Sequence, residues 1–173
     1  MSQVSYDKTG ALASLELDRP EKLNAINGEM LAALGAALDD AEQDEEIRVL
    51  ILGGKGRAFS AGFDLAMGME EDGESRQDRL RREIRRDFDA IMRFWKFPKP
   101  VIAAVHGYCL GSAMEMAAVC DISIAAEDCR FGAPEVRFGS GIVCMILRWI
   151  IGQKNAREML LAGSDRIDAE RAG

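Results

Sequence analysis

The sequence has only one histidine and four cysteines, and both scarcities narrow the range of possible functions. His106 is the only histidine among 173 residues, which excludes a histidine-rich metal site and leaves one candidate for any Ser-His or Cys-His pair. The cysteines form no C-x-x-C pair, so we expect reduced and mostly buried thiols rather than disulfides or a zinc site. They are Cys109, Cys120, Cys129 and Cys144.

Long apolar runs and an excess of positive charge are also missing. Runs such as Val101–Val105 and Ile142–Leu147 are far too short to cross a bilayer, and Met1–Gly10 has no apolar segment typical of a secretory signal. The 22 basic and 29 acidic side chains give a net charge of −7, which disfavours binding to nucleic acid or to a membrane. We therefore expect one globular domain over residues 1–173, located in the cytoplasm.

Three common nucleotide-binding or hydrolase motifs are absent. The segment Gly54–Phe59 departs from the G-x-G-x-x-G dinucleotide fingerprint at its last position, and the chain has no G-x-x-x-x-G-K-[ST] phosphate loop. Ser60 lacks the preceding glycine of the G-x-S-x-G elbow that serine hydrolases use. Function must therefore be sought in the arrangement of other residues.

Apolar residues alternate between strand-like and helix-like spacing, which predicts an α/β fold. We expect Val4–Tyr6 and Leu12–Leu17 to form a hairpin around the turn Asp7–Gly10. Short apolar runs predict strands, and Ile47–Leu52 is typical of one that is buried on both faces. The strands that follow the hairpin are predicted at Ile47–Leu52, Val101–Val105 and Ile122–Ala125, and the helices at Gly28–Glu42, Ser75–Trp95, Gly111–Cys120, Ile142–Ile151 and Gln153–Ala162.

Six arginines lie between Arg76 and Arg86, on the second predicted helix. Such a cluster could indicate RNA binding. Acidic residues are interleaved with the arginines, however, and this pattern favours a solvated helix face with ion pairs between side chains four residues apart.

The three strands after the hairpin are separated by helices, so we expect them to be parallel. The carboxyl ends of parallel strands meet at one edge of the sheet, where open α/β sheets usually bind ligands. The segments that leave this edge are Gly53–Leu65, His106–Glu115 and Ala126–Gly141. His106 has no partner motif, so we expect it to have a packing or hydrogen-bonding role.

Two of these segments can present backbone N–H groups to a developing negative charge. Ser60, Ala61 and Gly62 allow a sharp turn with exposed amides, although a plain strand–helix connection explains them equally well. Gly111 and Ser112 open the next helix and supply a second set of amides.

Two glutamates accompany these amides. Glu115 lies about 6 Å along the helix from Gly111. Its neighbours are apolar, so we expect burial and a raised pKa, with a solvent-facing or arginine-paired side chain as the equal alternative. Glu135 follows Pro134 in the third segment, where an ordinary surface carboxylate would be more common. Together these groups suit an oxyanion hole flanked by a proton donor and a proton acceptor, as a thioester enolate requires.

Five motifs follow one another along the chain in a recognisable order. They are Leu17–Ile26, Phe59–Leu65, Gly107–Asp121, Phe131–Glu135 and Gly152–Gly163. With these motifs, nearly the whole chain is similar to the enoyl-CoA hydratase/isomerase (crotonase) superfamily. The resemblance implies a crotonase-like ββα spiral core with a mostly parallel sheet. It does not specify the reaction, because members hydrate, isomerise, decarboxylate or hydrolyse acyl-CoA thioesters.

The resemblance also implies roles for individual residues. The N–H groups of Ala61 and Ser112 match the two oxyanion-hole donors, with Gly111 just before the second. Glu115 would deprotonate water for attack at the β-carbon, and Glu135 would protonate the α-carbon. The residues similar to those that bind the coenzyme A portion are Lys22, Ala25, Ala61, Gly62, Phe63, Asp64, Leu65 and Gly111.

The presence of both glutamates favours hydration of a 2-enoyl-CoA over isomerisation. The resemblance implies no metal and no cofactor beyond the coenzyme A of the substrate, and it implies a homotrimer or a hexamer of two trimers. The alternatives are an isomerase, a thioesterase or a non-catalytic acyl-CoA-binding homologue.

The sequence departs from the family pattern at three places. Ser112 replaces a glycine, and Val136–Cys144 replaces a glycine-rich helix start, so we expect a reshaped acyl pocket. Asp168 is a predicted N-cap of a helix that the sequence enters only for its first turn. We therefore expect the helices that complete the pocket and the trimer in the family to lie beyond this sequence.

Overall fold

The computed structural model describes residues 3–66, 75–137, 139 and 144–173. Strands and helices alternate along these ranges. The strands are β1 (Val4–Thr9), β2 (Leu12–Leu17), β3 (Val49–Gly54), β4 (Val101–Val105), β5 (Tyr108–Leu110), β6 (Ile122–Ala125), β7 (Arg130–Gly132) and β8 (Ile167–Asp168). The helices are α1 (Gly28–Gln43), α2 (Arg76–Trp95), α3 (Ser112–Ala118), α4 (Leu147–Ile150), α5 (Gln153–Ala162) and α6 (Ala169–Ala172), and Pro20–Lys22, Pro134–Arg137 and Cys144–Ile146 form 3₁₀ turns.

The main sheet has the strand order β1-β2-β3-β4-β6. β1 and β2 form the predicted antiparallel hairpin, and every other neighbouring pair in this sheet is parallel. The predicted parallel arrangement of β3, β4 and β6 is therefore confirmed, and with it the α/β class. The carboxyl ends of these three strands lie at one edge of the sheet, because helical segments return the chain to the opposite edge each time.

α1 covers the hairpin side of the sheet with an apolar stripe. Asn27 begins the helix, because its side chain accepts a hydrogen bond from the Met30 N–H at 2.9 Å. Met30, Leu34 and Leu38 are buried against β1 and β2. Residues at this spacing share one helix face, which is why the sequence pattern predicted this helix within one residue of its end.

Burial within the main sheet decreases toward the edge strand β6. Within β3, Leu50 and Leu52 are fully buried while Val49 and Ile51 are half-buried, and all of β6 is exposed. The sequence predicted that the strand Ile47–Leu52 is buried on both faces. This is wrong, because the face of β3 that carries Val49 and Ile51 is only half-buried.

Several predicted boundaries shift in the structure. The hairpin turn is shorter than Asp7–Gly10, because β1 continues to Thr9 and Gly10 reverses the chain at a φ of +57°. β3 begins and ends two residues later than predicted. α3 is shorter than Gly111–Cys120, since Gly111 at a φ of +59° stands outside it as the N-cap. The first residues of the predicted helix Ile142–Ile151 lie outside the described ranges, and the rest forms a 3₁₀ turn followed by α4.

A second, three-stranded sheet with the order β5-β7-β8 was not predicted. Its strands have three, three and two residues, which is too short for alternation of apolar and polar residues to be visible in the sequence. After β8, Asp168 accepts a hydrogen bond from the Arg171 N–H at 2.9 Å, so the predicted N-cap is confirmed.

The arginine cluster of α2 lies on a solvated face. Arg85 reaches Asp89 at 3.4 Å across four residues, and Arg81 approaches Asp78 at 3.8 Å. These side chains are largely exposed, so the solvated helix face is confirmed. Among the described helices, none is long and apolar enough to span a bilayer.

Asn24 joins the segment after β2 to the segment after β3. Its side chain is fully buried, and its amide nitrogen donates to the carbonyl oxygens of Lys55, Ala58 and Phe59 at 2.8–3.1 Å. The amide oxygen accepts from the Arg19 N–H at 2.8 Å. Asn24 also adopts a φ of +52°, which asparagine tolerates better than most residues.

We expect Asn24→Ala to lower the free energy of unfolding by about 3 kcal/mol, because several buried backbone groups lose their partner. Urea denaturation measures this loss. Asn155→Ala is the matched control, since the side chain of the exposed Asn155 donates one hydrogen bond among the described residues, to the Ile151 carbonyl. Its cost should stay within about 0.5 kcal/mol. Equal losses in the two variants would contradict the role given to Asn24.

Candidate functional site

The three segments that leave the sheet edge are held together by backbone hydrogen bonds. Ser60 donates its N–H to the Tyr108 carbonyl and accepts from the Leu110 N–H, at 3.0 and 3.1 Å. The Gly111 N–H donates to the Gly132 carbonyl at 2.8 Å, which extends the parallel pairing of β5 and β7. The loop after β3, the strand before α3 and the strand before Glu135 therefore lie side by side.

Gly62 lies where the loop after β3 approaches the start of α3. Its φ is +91°, and a Cβ at this position would lie 2.9 Å from the Leu110 carbonyl oxygen and 3.3 Å from the Ser112 nitrogen. Only glycine allows this combination of backbone angle and close approach. The turn directs the Phe63 N–H at the Ser112 hydroxyl oxygen, at 2.8 Å.

The oxyanion-donor role predicted for Ala61 is corrected by this geometry. The Ala61 N–H donates to the Leu23 carbonyl oxygen at 2.9 Å, so its single hydrogen is already used within the protein. Because Gly62 reverses the direction of the chain, it is the Phe63 N–H that faces the start of α3. Ala61 instead fixes the loop to the segment that contains Leu23.

Ser112 is the first residue of α3 and is 5 % exposed. The first N–H groups of a helix have no partner within the helix, and they attract negative charge. In the part of the chain that the structure describes, no group accepts a hydrogen bond from the Ser112 N–H. This amide is therefore available to a ligand oxygen.

Glu135 lies directly against Gly111, the residue before Ser112. A Cβ at Gly111 would be 2.6 Å from Glu135 Oε1, so the carboxylate occupies the space that a side chain would need. Glu135 Oε2 is buried and has no hydrogen-bond partner among the described residues. Burial raises the pKa of the Glu135 carboxyl above its ordinary value of 4.5.

Glu115 lies one turn into α3 and is 2 % exposed, as expected from its apolar neighbours. Its N–H donates to the Gly111 carbonyl at 3.0 Å. The Cys144 thiol lies near both glutamates: burial, followed by the charges of Glu115 and Glu135, raises its pKa. The structure thus brings the two carboxylates into one region, beside the start of α3.

The raised pKa of Glu135 predicts a pH-dependent effect of Glu135→Gln on stability. As the pH rises from 4.5 through the raised pKa, the unfolded chain ionises first, so the folded state loses stability. Glutamine does not ionise, and we expect the variant to gain stability over the wild type at about pH 7 but not at about pH 4. Urea denaturation at both pH values, with the exposed Glu127→Gln as control, measures the difference; an equal gain at both would contradict the prediction.

Three of the residues predicted to bind coenzyme A lie together around Arg19. Arg19 Nη1 donates to Asp64 Oδ2 at 2.6 Å and to the Ala25 carbonyl oxygen at 3.0 Å. The Arg19 hydrogen bond, with a smaller contribution from Lys22, lowers the pKa of Asp64. Lys22 and Leu65 are exposed at the rim of this cluster.

The sequence did not predict the contacts of Arg19 and Cys144. Their neighbours in the structure are distant in the chain, Asp64 for Arg19 and the two glutamates for Cys144.

His106 hydrogen-bonds the Gly56 carbonyl at 2.9 Å, which confirms the packing or hydrogen-bonding role expected for it. The four cysteines are free and three are buried, as predicted.

Other parts of the described structure do not extend the site. An apolar cavity of about 540 Å³ lies between α3, β6 and α5, and its lining contains neither Glu115 nor Glu135. Among the residues with described positions, no group of three or more His, Cys, Asp or Glu side chains could hold a metal ion.

Comparison with known proteins shows the family of this chain. A sequence profile of the enoyl-CoA hydratase/isomerase family matches residues 7–173. The chain belongs to this family. The crotonase fold is shared with the crystal structure of an enoyl-CoA hydratase/isomerase from Xanthobacter autotrophicus Py2, with 48 % sequence identity and a TM-score of 0.93 over 99 % of this chain and 63 % of that one.

Two further family members show the range of names among the relatives. The 2,3-dehydroadipyl-CoA hydratase of Escherichia coli is 34 % identical over 99 % of this chain and 66 % of that protein. The mitochondrial enoyl-CoA hydratase of Pongo abelii is 34 % identical over 95 % of this chain and 56 % of that protein. The chain thus spans less than two thirds of the length of either relative.

Proposed function

We propose that the protein is an enoyl-CoA hydratase, which adds water across the 2,3 double bond of an acyl-CoA thioester. The observation that carries the proposal is the position of the two carboxylates relative to the start of α3. Glu135 packs against Gly111, Glu115 lies one turn into the helix, and the Ser112 N–H has no acceptor among the described residues. Family membership supports the same chemistry, since two of the relatives named above are an enoyl-CoA hydratase and a 2,3-dehydroadipyl-CoA hydratase.

In the proposed reaction, the two glutamates divide the proton transfers. Glu115 accepts a proton from water as the water oxygen bonds to the β-carbon, and the electrons of the double bond move to the thioester oxygen as an enolate. Glu135 then gives a proton to the α-carbon, which restores the carbonyl group. Burial raises the pKa of the Glu135 carboxyl, which favours its protonated form and suits it to the donor role.

The negative charge of the enolate needs hydrogen-bond donors in a site from which water is excluded. The Ser112 N–H is unpaired within the described structure and lies at the positive end of α3. The Phe63 N–H, rather than that of Ala61, is the amide that the neighbouring loop directs toward this position. We assign the oxyanion hole to this corner of the structure.

The test is an assay of the purified protein with a series of 2-enoyl-CoA thioesters of different chain length. Hydration removes the conjugated double bond, so the loss of its ultraviolet absorbance measures the rate. We expect hydration of at least one chain length. Conversion to a 3-enoyl-CoA or release of free coenzyme A would instead indicate an isomerase or a thioesterase. Binding without turnover would indicate a non-catalytic homologue and would reject the proposal.

The coenzyme A portion is assigned to the cluster around Arg19. The exposed Lys22 supplies positive charge for phosphate groups, and the Arg19–Asp64 pair holds the loop that contains Phe63. No metal and no separate cofactor take part in the proposed reaction.

We further propose that the protein assembles as a trimer or as a hexamer of two trimers. Exposed apolar side chains on β6 and on the C-terminal helices support association, because contiguous apolar surface favours burial in an interface. Ile122, Ile124, Trp149 and Leu161 are each more than half exposed. The mass in solution, measured by light scattering, distinguishes these assemblies from a single chain.

A further inference from the structure

The Ser112 hydroxyl group lies at the centre of the candidate site and replaces the glycine that the family resemblance led us to expect. Ser112 is buried, and its Oγ accepts the Phe63 N–H at 2.8 Å. Across the ranges that the structure describes, no group accepts a hydrogen bond from the hydroxyl proton. A buried hydroxyl that accepts one hydrogen bond and donates none has a donor to offer.

The position of this hydroxyl affects how the Phe63 amide can act. The Phe63 N–H has a single hydrogen, and Ser112 Oγ already receives it at an ordinary hydrogen-bond distance. A substrate oxygen can therefore reach this amide only after the serine side chain has rotated away. The hydroxyl proton and the Ser112 N–H, by contrast, belong to one residue at the start of α3, where one oxygen atom can contact both.

We propose that the Ser112 hydroxyl is a direct hydrogen-bond donor to the thioester oxygen, and that the hydrogen bond from the Phe63 N–H fixes the orientation of this hydroxyl. This inference rests on the function proposed above. The oxyanion hole then consists of the Ser112 N–H and the Ser112 O–H, and the Phe63 amide acts through the hydroxyl instead of touching the substrate.

The chain of hydrogen bonds runs from the Phe63 N–H to Ser112 Oγ and from the Ser112 O–H to the substrate oxygen. Accepting the amide hydrogen bond polarises the hydroxyl group and strengthens it as a donor. The serine keeps its proton throughout, because an aliphatic hydroxyl is a far weaker acid than a thioester enol. Its contribution is therefore to stabilise the enolate charge, while the proton transfers remain with Glu115 and Glu135.

Two substitutions at this position separate the donor role from a blocking role. Ser112→Ala removes the hydroxyl but leaves a Cβ, so the Phe63 N–H is blocked by a methyl group that cannot donate. Ser112→Gly removes both the hydroxyl and the Cβ, so the thioester oxygen can accept a hydrogen bond from the Phe63 N–H directly. Ser123→Ala is the control, because the Ser123 hydroxyl donates to the Ala117 carbonyl at 2.8 Å near the other end of α3.

Three measurements are made on the wild type and each variant: kcat for hydration, the infrared stretching frequency of the thioester carbonyl in a bound saturated acyl-CoA, and Tm. We expect Ser112→Ala to lower kcat by about 10²-fold, the effect of losing one oxyanion donor. The bound carbonyl should then lose much of its shift to lower frequency. Ser112→Gly should recover most of both losses, with kcat within about tenfold of the wild type, and Ser123→Ala should retain the wild-type values.

Each result supports or overturns the inference. An Ser112→Ala variant as active as the wild type, with an unchanged carbonyl frequency, would show that the hydroxyl is not a donor. Equal losses in the alanine and glycine variants, with matching falls in Tm, would show a structural role instead. A carbonyl shift that depends on the hydroxyl, in a protein that hydrates no enoyl-CoA, would overturn the proposed function alone. Absence of acyl-CoA binding by the wild type would overturn both.

Discussion

Glu115→Gln and Glu135→Gln are each expected to lower kcat for enoyl-CoA hydration by about 10²–10⁴-fold, the range for a general acid or base. Glutamine keeps the size and much of the hydrogen-bonding capacity of glutamate, but it can neither accept nor release a proton under these conditions. The affinity for a saturated acyl-CoA should change little, since neither carboxylate is assigned to the coenzyme A portion.

The control for these variants is Glu127→Gln. Glu127 is an exposed carboxylate in the segment between β6 and β7, upstream of Glu135. Steady-state kinetics should leave its kcat unchanged while both site variants lose activity. An unchanged kcat in Glu115→Gln and Glu135→Gln would contradict the proton-transfer roles assigned to the two glutamates, even if the protein is a hydratase.

Gly62→Ala is expected to lower kcat by about 10²-fold or more, because a displacement of even about 1 Å at catalytic groups can have that effect. The added Cβ would lie 2.9 Å from the Leu110 carbonyl oxygen and 3.2 Å from Ser112 Oγ. The alanine at position 62 would also have to keep a φ of +91°, which is unfavourable for any residue with a side chain. The loop must then move away from the start of α3, and the contact between Phe63 and Ser112 is lost.

Gly10→Ala separates backbone strain from the effect of the close contact. Gly10 has a φ of +57° in the hairpin turn, but a Cβ there would meet nothing within 4 Å. Both variants should unfold at a lower temperature, and only Gly62→Ala should lose activity at a temperature where both are folded. Comparable loss of activity in Gly10→Ala would show that global destabilisation explains the effect.

The main elements of the fold could be predicted because their signals are local. The apolar stripe of α1, the buried runs of β3 and β4 and the proline residues after α2 all act within a few residues of one another. The strands β5, β7 and β8 were missed because they form through pairing with distant segments. Their two or three residues carry no periodic pattern of their own.

The oxyanion donor shows why a site cannot be read fully from motifs. The residues Ser60, Ala61 and Gly62 indicated a turn with exposed amides, but not the direction of each N–H. That direction depends on the φ of Gly62 and on the Leu23 carbonyl, which takes the Ala61 hydrogen. Leu23 lies 38 residues earlier in the chain (61 − 23) and gives no local sign of this contact.

By itself, the amino-acid sequence determined the parallel α/β class and the three segments at one sheet edge, and it singled out Glu115 and Glu135 as candidates. Local periodicity is enough for the first two conclusions, and the choice of the glutamates also rests on the family resemblance. Only the tertiary structure decided that Glu115 and Glu135 both lie near the start of α3, that the Phe63 N–H rather than that of Ala61 faces this helix, and that the Ser112 hydroxyl accepts the Phe63 N–H. These three features depend on distances between segments that are far apart in the chain. Folding sets such distances, and the local sequence pattern does not encode them.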